Sequence, residues 1–564
     1  MNVSLPSRPY LWPYLAALLP LIAMWVVALE GWNLTYPSEM LMAFAQPTRR
    51  LLVWLLPPLL LVAAVFGGRW FYLSTQARAE ETRQAAAQAE QAKQQSDAAA
   101  QAAALLVKKR ETLEVLGLGL VVEKFRNAAV WEAIEKVEND PHATILPKEP
   151  EAIGDLVRGN RHGKRGGDVF EYAQRYFVEK IPLPGFVIFP KPTGKDPSHW
   201  DVGAGTLMGG RDPFTLFITA GQIYADTPDE ALGVIFDFFD AHPDVPAVFV
   251  LADDGYMTKK FFRDGYQPDG DPGWKPGDPT EAITAFVFVR RDRVDKLIRS
   301  FAVDEKFGLD YDDKTSFVNR VWHFYFDIAD AHPDAALPTV EEWLAEVPKL
   351  MAETKDVPVS GLLPFWHGMP DGFKPSPWIP VPWTQWQLKE FDDLPTLGYL
   401  HRPQYAKYVA PDGKPLGTQA RETAFADAWQ GALETLPEGK TPERMFFDAG
   451  GDAGGARGRG IPPMMNAFGT RYPDAGWNLN SPRMIDLTAR LDDTGAASPF
   501  VQIALALIAG YRDGAVSATV NLRREDGASV LMVSPPTEAP EGRKTHPGAG
   551  RDPFKLPLMP ENGQ

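Results

Sequence analysis

Two apolar runs near the start of the chain restrict it most. Tyr10 to Leu29 carries no charge until Glu30, and Leu51 to Gly68 follows Arg49-Arg50. Each is about one bilayer thick, and a backbone in lipid must satisfy its own hydrogen bonds, so each is read as a spanning helix. A cleaved signal peptide is the competing reading for the first run. The second run, Pro13, Pro20 and the lack of a small-x-small cleavage site argue against it. Pro57-Pro58 predicts a kink. Trp12, Trp25, Trp54, Trp70 and Tyr72 fit interfacial belts in part. Arg8, Arg69, Arg78 and Arg83 flank the hairpin against Arg49 and Arg50 in its loop, which leans to cytoplasmic termini.

Gln76 to Arg110 lacks glycine and proline and is mostly Ala, Gln, Glu, Lys and Arg. High summed helix propensity predicts a solvated stalk helix or weak coiled coil, with a disordered tether as the alternative.

The remainder alternates strand and helix patterns. Leu113 to Glu123 reads as a strand with two glycines, Phe125 to Val137 as a helix, and Glu151 to Arg165 as a glycine-bearing loop. Phe186–Phe189 and Phe214–Ala220 are strand candidates. Thr227-Pro228-Asp229-Glu230 reads as a helix start, followed by Ala231, Leu232, Ile235, Phe236 and Phe239 at helical spacing. His242-Pro243 stops that helix. Val245 to Ala252 is a buried strand ended by Asp253-Asp254-Gly255, and Ala282 to Val289 feeds a helix from Asp292 to Phe301. Later come a strand at Arg444–Phe447, a helix over 498–511 buried on most sides, and a hairpin of 517–523 with 528–533 around Glu525-Asp526-Gly527.

The fold class is therefore α/β: two soluble α/β domains preceded by a two-helix transmembrane hairpin and a helical stalk. The expected boundaries are 1–75 for the hairpin (spans about 10–29 and 51–68), 76–112 for the stalk and 113–355 for the first domain. They continue with 356–390 for a Pro/Trp-rich connector, 391–535 for the second domain and 536–564 for a disordered tail.

Net charge is −16, and residues 1–75 hold four arginines against two glutamates, so the acidic excess lies in the soluble part. Such a surface repels phosphate backbones and argues against nucleic-acid binding. With no cysteine, thiol catalysis and thiolate-held metals are excluded.

No catalytic set stands out. Gly-x-Ser-x-Gly and His-Glu-x-x-His are absent, and the glycine-rich loop 450–460 lacks the Lys-Ser/Thr of a phosphate loop. No cofactor is expected. Asp253, Asp254, Asp448 and Asp452 follow strands, where a metal-dependent hydrolase places acids, but turns favour the same residues. The segment 236–244 recurs at 326–334, each copy ending in Ala-His-Pro-Asp. It reads either as a duplicated α/β half with paired sites or as a repeated helix-stop cassette, which is favoured. In 361–386, Trp366, Trp378, Trp383 and Trp386 lie among six prolines. They form either a docking strip for a protein partner or a strap packed on a core.

The stretch TPDEALGVIFDFFDAHPDVPAVFVLADDG, with LPTLGYLHRPQ at 394–404 and SPFVQIALALIAGYR from Ser498, resembles the bacterial type VI secretion lipase-adaptor family. The likeness runs over roughly 110–535. It implies a non-enzymatic adaptor on the cytoplasmic side of the inner membrane that binds a lipase effector and brings it to the secretion spike protein. Self-association through the stalk and a structural role in the envelope are the remaining expectations.

Overall fold

A computed structural model describes residues 10–35, 47–140, 143–147, 155–191, 214–255, 280–304, 316–331, 337–355, 369–450 and 456–556. The chain divides into two compact units, Met1–Val107 and Lys108–Gln564.

The first unit is a pair of helices, α1 (Trp12–Thr35) and α2 (Pro47–Lys109). Both are long and apolar enough to cross a membrane. Tyr14 meets the edge of Phe66 with ring centroids 5.3 Å apart. Leu19, Val27, Leu60 and Val65 all point outward, the reverse of a soluble core helix. The second apolar run and the stalk are one helix of 63 residues, with Pro57 and Pro58 inside it.

In the second unit the strands are β1 (Thr112–Val122), β2 (Phe125–Arg126), β3 (Pro182–Phe189), β4 (Leu216–Tyr224), β5 (Ala247–Asp253), β6 (Ala282–Val289), β7 (Gly398–His401), β8 (Gln404–Lys407), β9 (Arg444–Asp448), β10 (Met484–Asp486), β11 (Ser517–Asn521) and β12 (Gly527–Ser534). They form one sheet in the order β10-β9-β11-β12-β7-β1-β6-β5-β3-β4, with β2 on β1 and β8 on β12. Each side repeats one plan. β4, β3 and β5 are parallel and are followed by antiparallel β6 and β1. On the other side β10, β9 and β11 are parallel and are followed by antiparallel β12, which pairs with β7 and β8. The two sides meet where β1 pairs antiparallel with β7. The two α/β domains expected from the sequence are thus built on a single sheet within one compact unit.

Central strands read as unbroken apolar runs because they are buried on both faces. In chain order the helices are α3 (Ala128–Glu135), α4 (Asp155–Gln174), α5 (Ala231–Ala241), α6 (Phe317–Asp330), α7 (Val340–Lys355), α8 (Gln385–Asp393), α9 (Thr418–Leu433), α10 (Ala456–Arg471), α11 (Leu487–Leu491) and α12 (Ser498–Asp513). Helix α12 is buried from Ser498 through Tyr511, as its apolar surface on most sides requires. Helix α5 begins at Ala231, later than the Thr227 start; Glu230 occupies the cap position with no side-chain capping bond. The helix after β6 is irregular over 291–301, with a π turn at Val294–Ile298.

Three expectations are corrected. Residues 155–165 belong to helix α4, not a loop, because this helix lies directly on β1. A Cβ at Gly117 would sit 1.9 Å from the Ala173 carbonyl oxygen, and one at Gly119 2.2 Å from that of Val169. The two strand glycines admit the helix backbone, and that packing overrides the helix's own poor propensity. Second, residues 536–556 of the supposed disordered tail lie on the body. Phe554 is buried against Tyr511, Tyr172 donates to the Leu556 carbonyl, and the His546 ring meets Tyr176. Third, residues 456–460 of the glycine-rich loop open α10 rather than forming a surface loop; 451–455 lie outside the described residues. The repeated cassette falls on α5 and α6, both on one side of the sheet, so it does not mark equivalent positions of the two sides. His242 ends α5, its carbonyl accepting from Arg293, which suits a helix stop; residues 332–334 of the second copy lie outside the described residues.

Candidate functional site

Strand β5 ends in Asp253, and the turn expected there forms. Gly255 N donates to Asp253 Oδ1 at 2.7 Å, with Gly255 at φ +88° and Pro190 filling the space a Cβ would need. Asp254 is pinned to the start of β6: its amide donates to Ala282 O at 2.9 Å, and its Oδ2 accepts from Ala282 N at 2.8 Å. Helix α4 then brings His162 and Arg165, one turn apart on one face, over these strand ends. His162 Nε2 faces Asp253 Oδ2 at 2.8 Å, and Nδ1 faces Glu281 Oε1 at 3.0 Å. Arg165 pairs closely with Glu281 and reaches Glu123 at 3.4 Å. Glu281 N in turn donates to Glu123 Oε1 at 3.1 Å.

Asp253, Asp254 and Glu281 are only 4%, 1% and 2% exposed. Burial works against a charged His162, but Asp253 facing it, with Asp254 nearby, outweighs this and raises its pKa above the ordinary histidine value.

Asp448 ends β9 in a different way. Thr488 Oγ1 and Gly450 N donate to its Oδ1 at 2.6 and 2.7 Å. Ser498 Oγ donates to Oδ2, and Arg523 reaches Oδ2 at 3.2 Å. Burial alone would raise this carboxyl; Arg523 and the hydroxyls hold it below the usual range. With four donors on two oxygens, its acceptor capacity is taken up within the fold. One loop, 492–497, ties the two strand ends together: Ala496 N donates to Asp254 O at 3.2 Å, and Asp493 pairs with Arg523 at 2.7 Å.

Of the four strand-end acids read from the sequence, the structure gathers Asp253 and Asp254 around His162. It gives Asp448 a separate set of partners, and Asp452 lies outside the described residues. His162, Arg165 and Glu281 were not legible as site residues. Histidine and arginine three apart would have signalled a shared face only once 155–174 was recognised as a helix.

The tryptophan strip corrects the docking reading in part. Trp378 is 1% exposed, edge-on to Phe238 and His242, and Trp383 is 3% exposed against Phe391. Backbone bonds from Val303 N to Trp383 O and from Gln385 N to Val303 O fasten the strap. These two rings are core, because that much aromatic surface is costly in water. Trp386 is half-buried at the start of α8, whose Thr384–Gln387 capping box orients it; Trp366 lies outside the described residues.

Two family models match the chain: type VI lipase adapter protein Tla3, N-terminal, over residues 111–272, and its C-terminal counterpart over 397–535. The chain belongs to the Tla3 type VI lipase adapter family. Membership gives it an adaptor role in general, with protein partners. The two Tla3 models fall on the two sides of the sheet, and both strand-end clusters lie within or beside the matched residues. Among solved structures, the ishigamide ketosynthase/chain length factor is similar at 10% identity, covering 75% of this chain and 99% of that one at a TM-score of 0.37. Acetamide-bound OleA of Xanthomonas campestris matches at 7% identity, 75% and 99% coverage and a TM-score of 0.34. The ketosynthase from module 6 of the Bacillus subtilis 168 bacillaene synthase matches at 8%, 76% and 71%, with a TM-score of 0.39. None of these likenesses bears on chemistry.

Proposed function

We propose that the chain is a membrane-tethered, non-enzymatic adaptor that binds a type VI secretion lipase effector and helps load it onto the spike protein. The observation that carries this reading is the adapter-family match on both sides of one sheet. It is supported at the end of β9, where a hydrolase would keep a free acid and Asp448 instead accepts from Thr488, Gly450, Ser498 and Arg523. Outward-facing apolar side chains on α1 and α2 support anchoring in a membrane. Placement in the bacterial inner membrane with the sheet unit on the cytoplasmic side is proposed from the arginines that flank the apolar runs. Trp386, with Trp366, remains the proposed contact of the tryptophan strip.

Tagged full-length chain captured from native membranes should retain a lipase and a spike protein. Recovery of neither contradicts the proposal.

The stalk is proposed to self-associate. Ala85, Ala89, Ala92, Ser96, Ala99, Ala103 and Leu106 recur at alternating steps of four and three along an exposed stretch of α2. In detergent, sedimentation of the full chain should show an oligomer that deletion of 76–104 reduces to a monomer; a monomeric full chain contradicts this.

A further inference from the structure

We infer that the end of β5 is a divalent-cation site, in which His162, Asp253 and Asp254 hold one borderline ion such as Zn²⁺ or Mn²⁺ and Glu281 orients the imidazole from behind. The role assigned to the ion is to fasten α4 to the strand ends. The inference does not depend on the adaptor reading.

The donor atoms come from two distant parts of the chain and converge. One ligand atom from each of the three residues lies within 4.8 Å of the others. An ion with bonds of about 2.0–2.2 Å spans such a set after a small contraction. The imidazole is already posed for the task. Nε2 points at Asp253 Oδ2, where the ion would enter, while Nδ1 faces Glu281 Oε1 at 3.0 Å. A carboxylate on the far nitrogen is the usual support of a metal-bound histidine, fixing its tautomer and raising its basicity.

Charge points the same way. Glu123, Asp253, Asp254 and Glu281 are four carboxylates at the strand ends, three of them buried. Arg165 pairs with two of them, Glu123 and Glu281, and His162 faces Asp253 and Glu281. A divalent ion in place of the His162 proton would set two positive charges against these buried carboxylates. One nitrogen and two carboxylate oxygens suit Zn²⁺ or Mn²⁺ better than Ca²⁺, which takes six or more oxygens. Three protein ligands leave a position for water.

The test uses the full chain in detergent, stripped with a chelator and titrated with Zn²⁺ or Mn²⁺ alone. The expected result is uptake of one ion per chain, a rise of the thermal midpoint by a few degrees, and visible absorption bands when Co²⁺ is substituted. Asp253→Asn and His162→Gln should abolish uptake, and Glu281→Gln should weaken affinity about 10- to 100-fold. Absence of stoichiometric uptake by the stripped wild-type chain overturns the inference, whatever the folding of the variants. So does uptake that survives both Asp253→Asn and His162→Gln. Lipase capture by the same stripped chain is scored separately, so failure of the ion site and failure of the adaptor reading are distinguishable.

Discussion

Asp448 and His401 are buried polar residues whose surroundings fix what substitution or pH should do. Asp448→Ala would strand the hydroxyls of Thr488 and Ser498 and take from partly buried Arg523 one of its two carboxylates, leaving Asp493. Because Arg523 keeps Asp493, the expected cost is that of the stranded hydroxyls and the lost bond, on the order of 1–3 kcal/mol, to be read by denaturant unfolding of the full chain. The folded pKa of Asp448 is depressed, so its contribution is present above the unfolded carboxylate value of about 4 and is lost as pH falls below it. His401 Nδ1 faces Thr435 O at 3.0 Å and must donate, so Nε2 accepts from Ser534 Oγ at 2.7 Å. Burial lowers its pKa to about 4. The unfolded chain therefore binds the proton first. Stability should be full above about pH 6.5 and fall, by up to about 3 kcal/mol, as pH drops toward 4. His401→Gln should flatten that slope in pH-dependent thermal unfolding; an unchanged slope contradicts the assignment. At this scale the sequence offered the strand-end acids but not their partners, since Thr488, Ser498 and Arg523 lie 40, 50 and 75 residues from Asp448. Only the tertiary fold makes them neighbours.

Among elements, the contact of α4 with β1 is the least forgiving. Gly119→Ala would place a methyl group against the Val169 carbonyl and lift the helix that carries His162 and Arg165. The expected loss is about 1–3 kcal/mol or more, read as a lower thermal midpoint, with a still larger effect at Gly117. Near-wild-type stability of either variant contradicts the packing. Elements whose own side chains dictate their burial were legible. The apolar run of β6, the hairpin of β11 and β12, and helix α12 fall where the pattern put them. Elements made by a neighbour were not. Glycines in 151–165 suggested a loop, yet 155–165 is the first part of a helix that rests on β1 through Val169 and Ala173. The proline- and charge-rich tail suggested disorder, yet Phe554 and Leu556 find a buried place. In the Trp–Pro strip, composition alone does not distinguish a strap from a docking surface; Trp378 and Trp383 turn out to be strap.

Taken as a whole, the sheet unit joins two similar strand plans into one sheet, and the adapter-family match covers both. Its best-defined polar clusters bind their own loops and helices, which leaves shape and surface as what it offers a lipase. The most direct test mixes the purified full-length chain in detergent with the purified lipase effector and follows complex formation by sedimentation, alongside lipid hydrolysis by the chain alone. The expected result is a stable complex, equally formed by Asp253→Asn, and no hydrolysis by the chain. Failure to form a complex, or hydrolysis by the chain that Asp253→Asn abolishes, would contradict the adaptor reading.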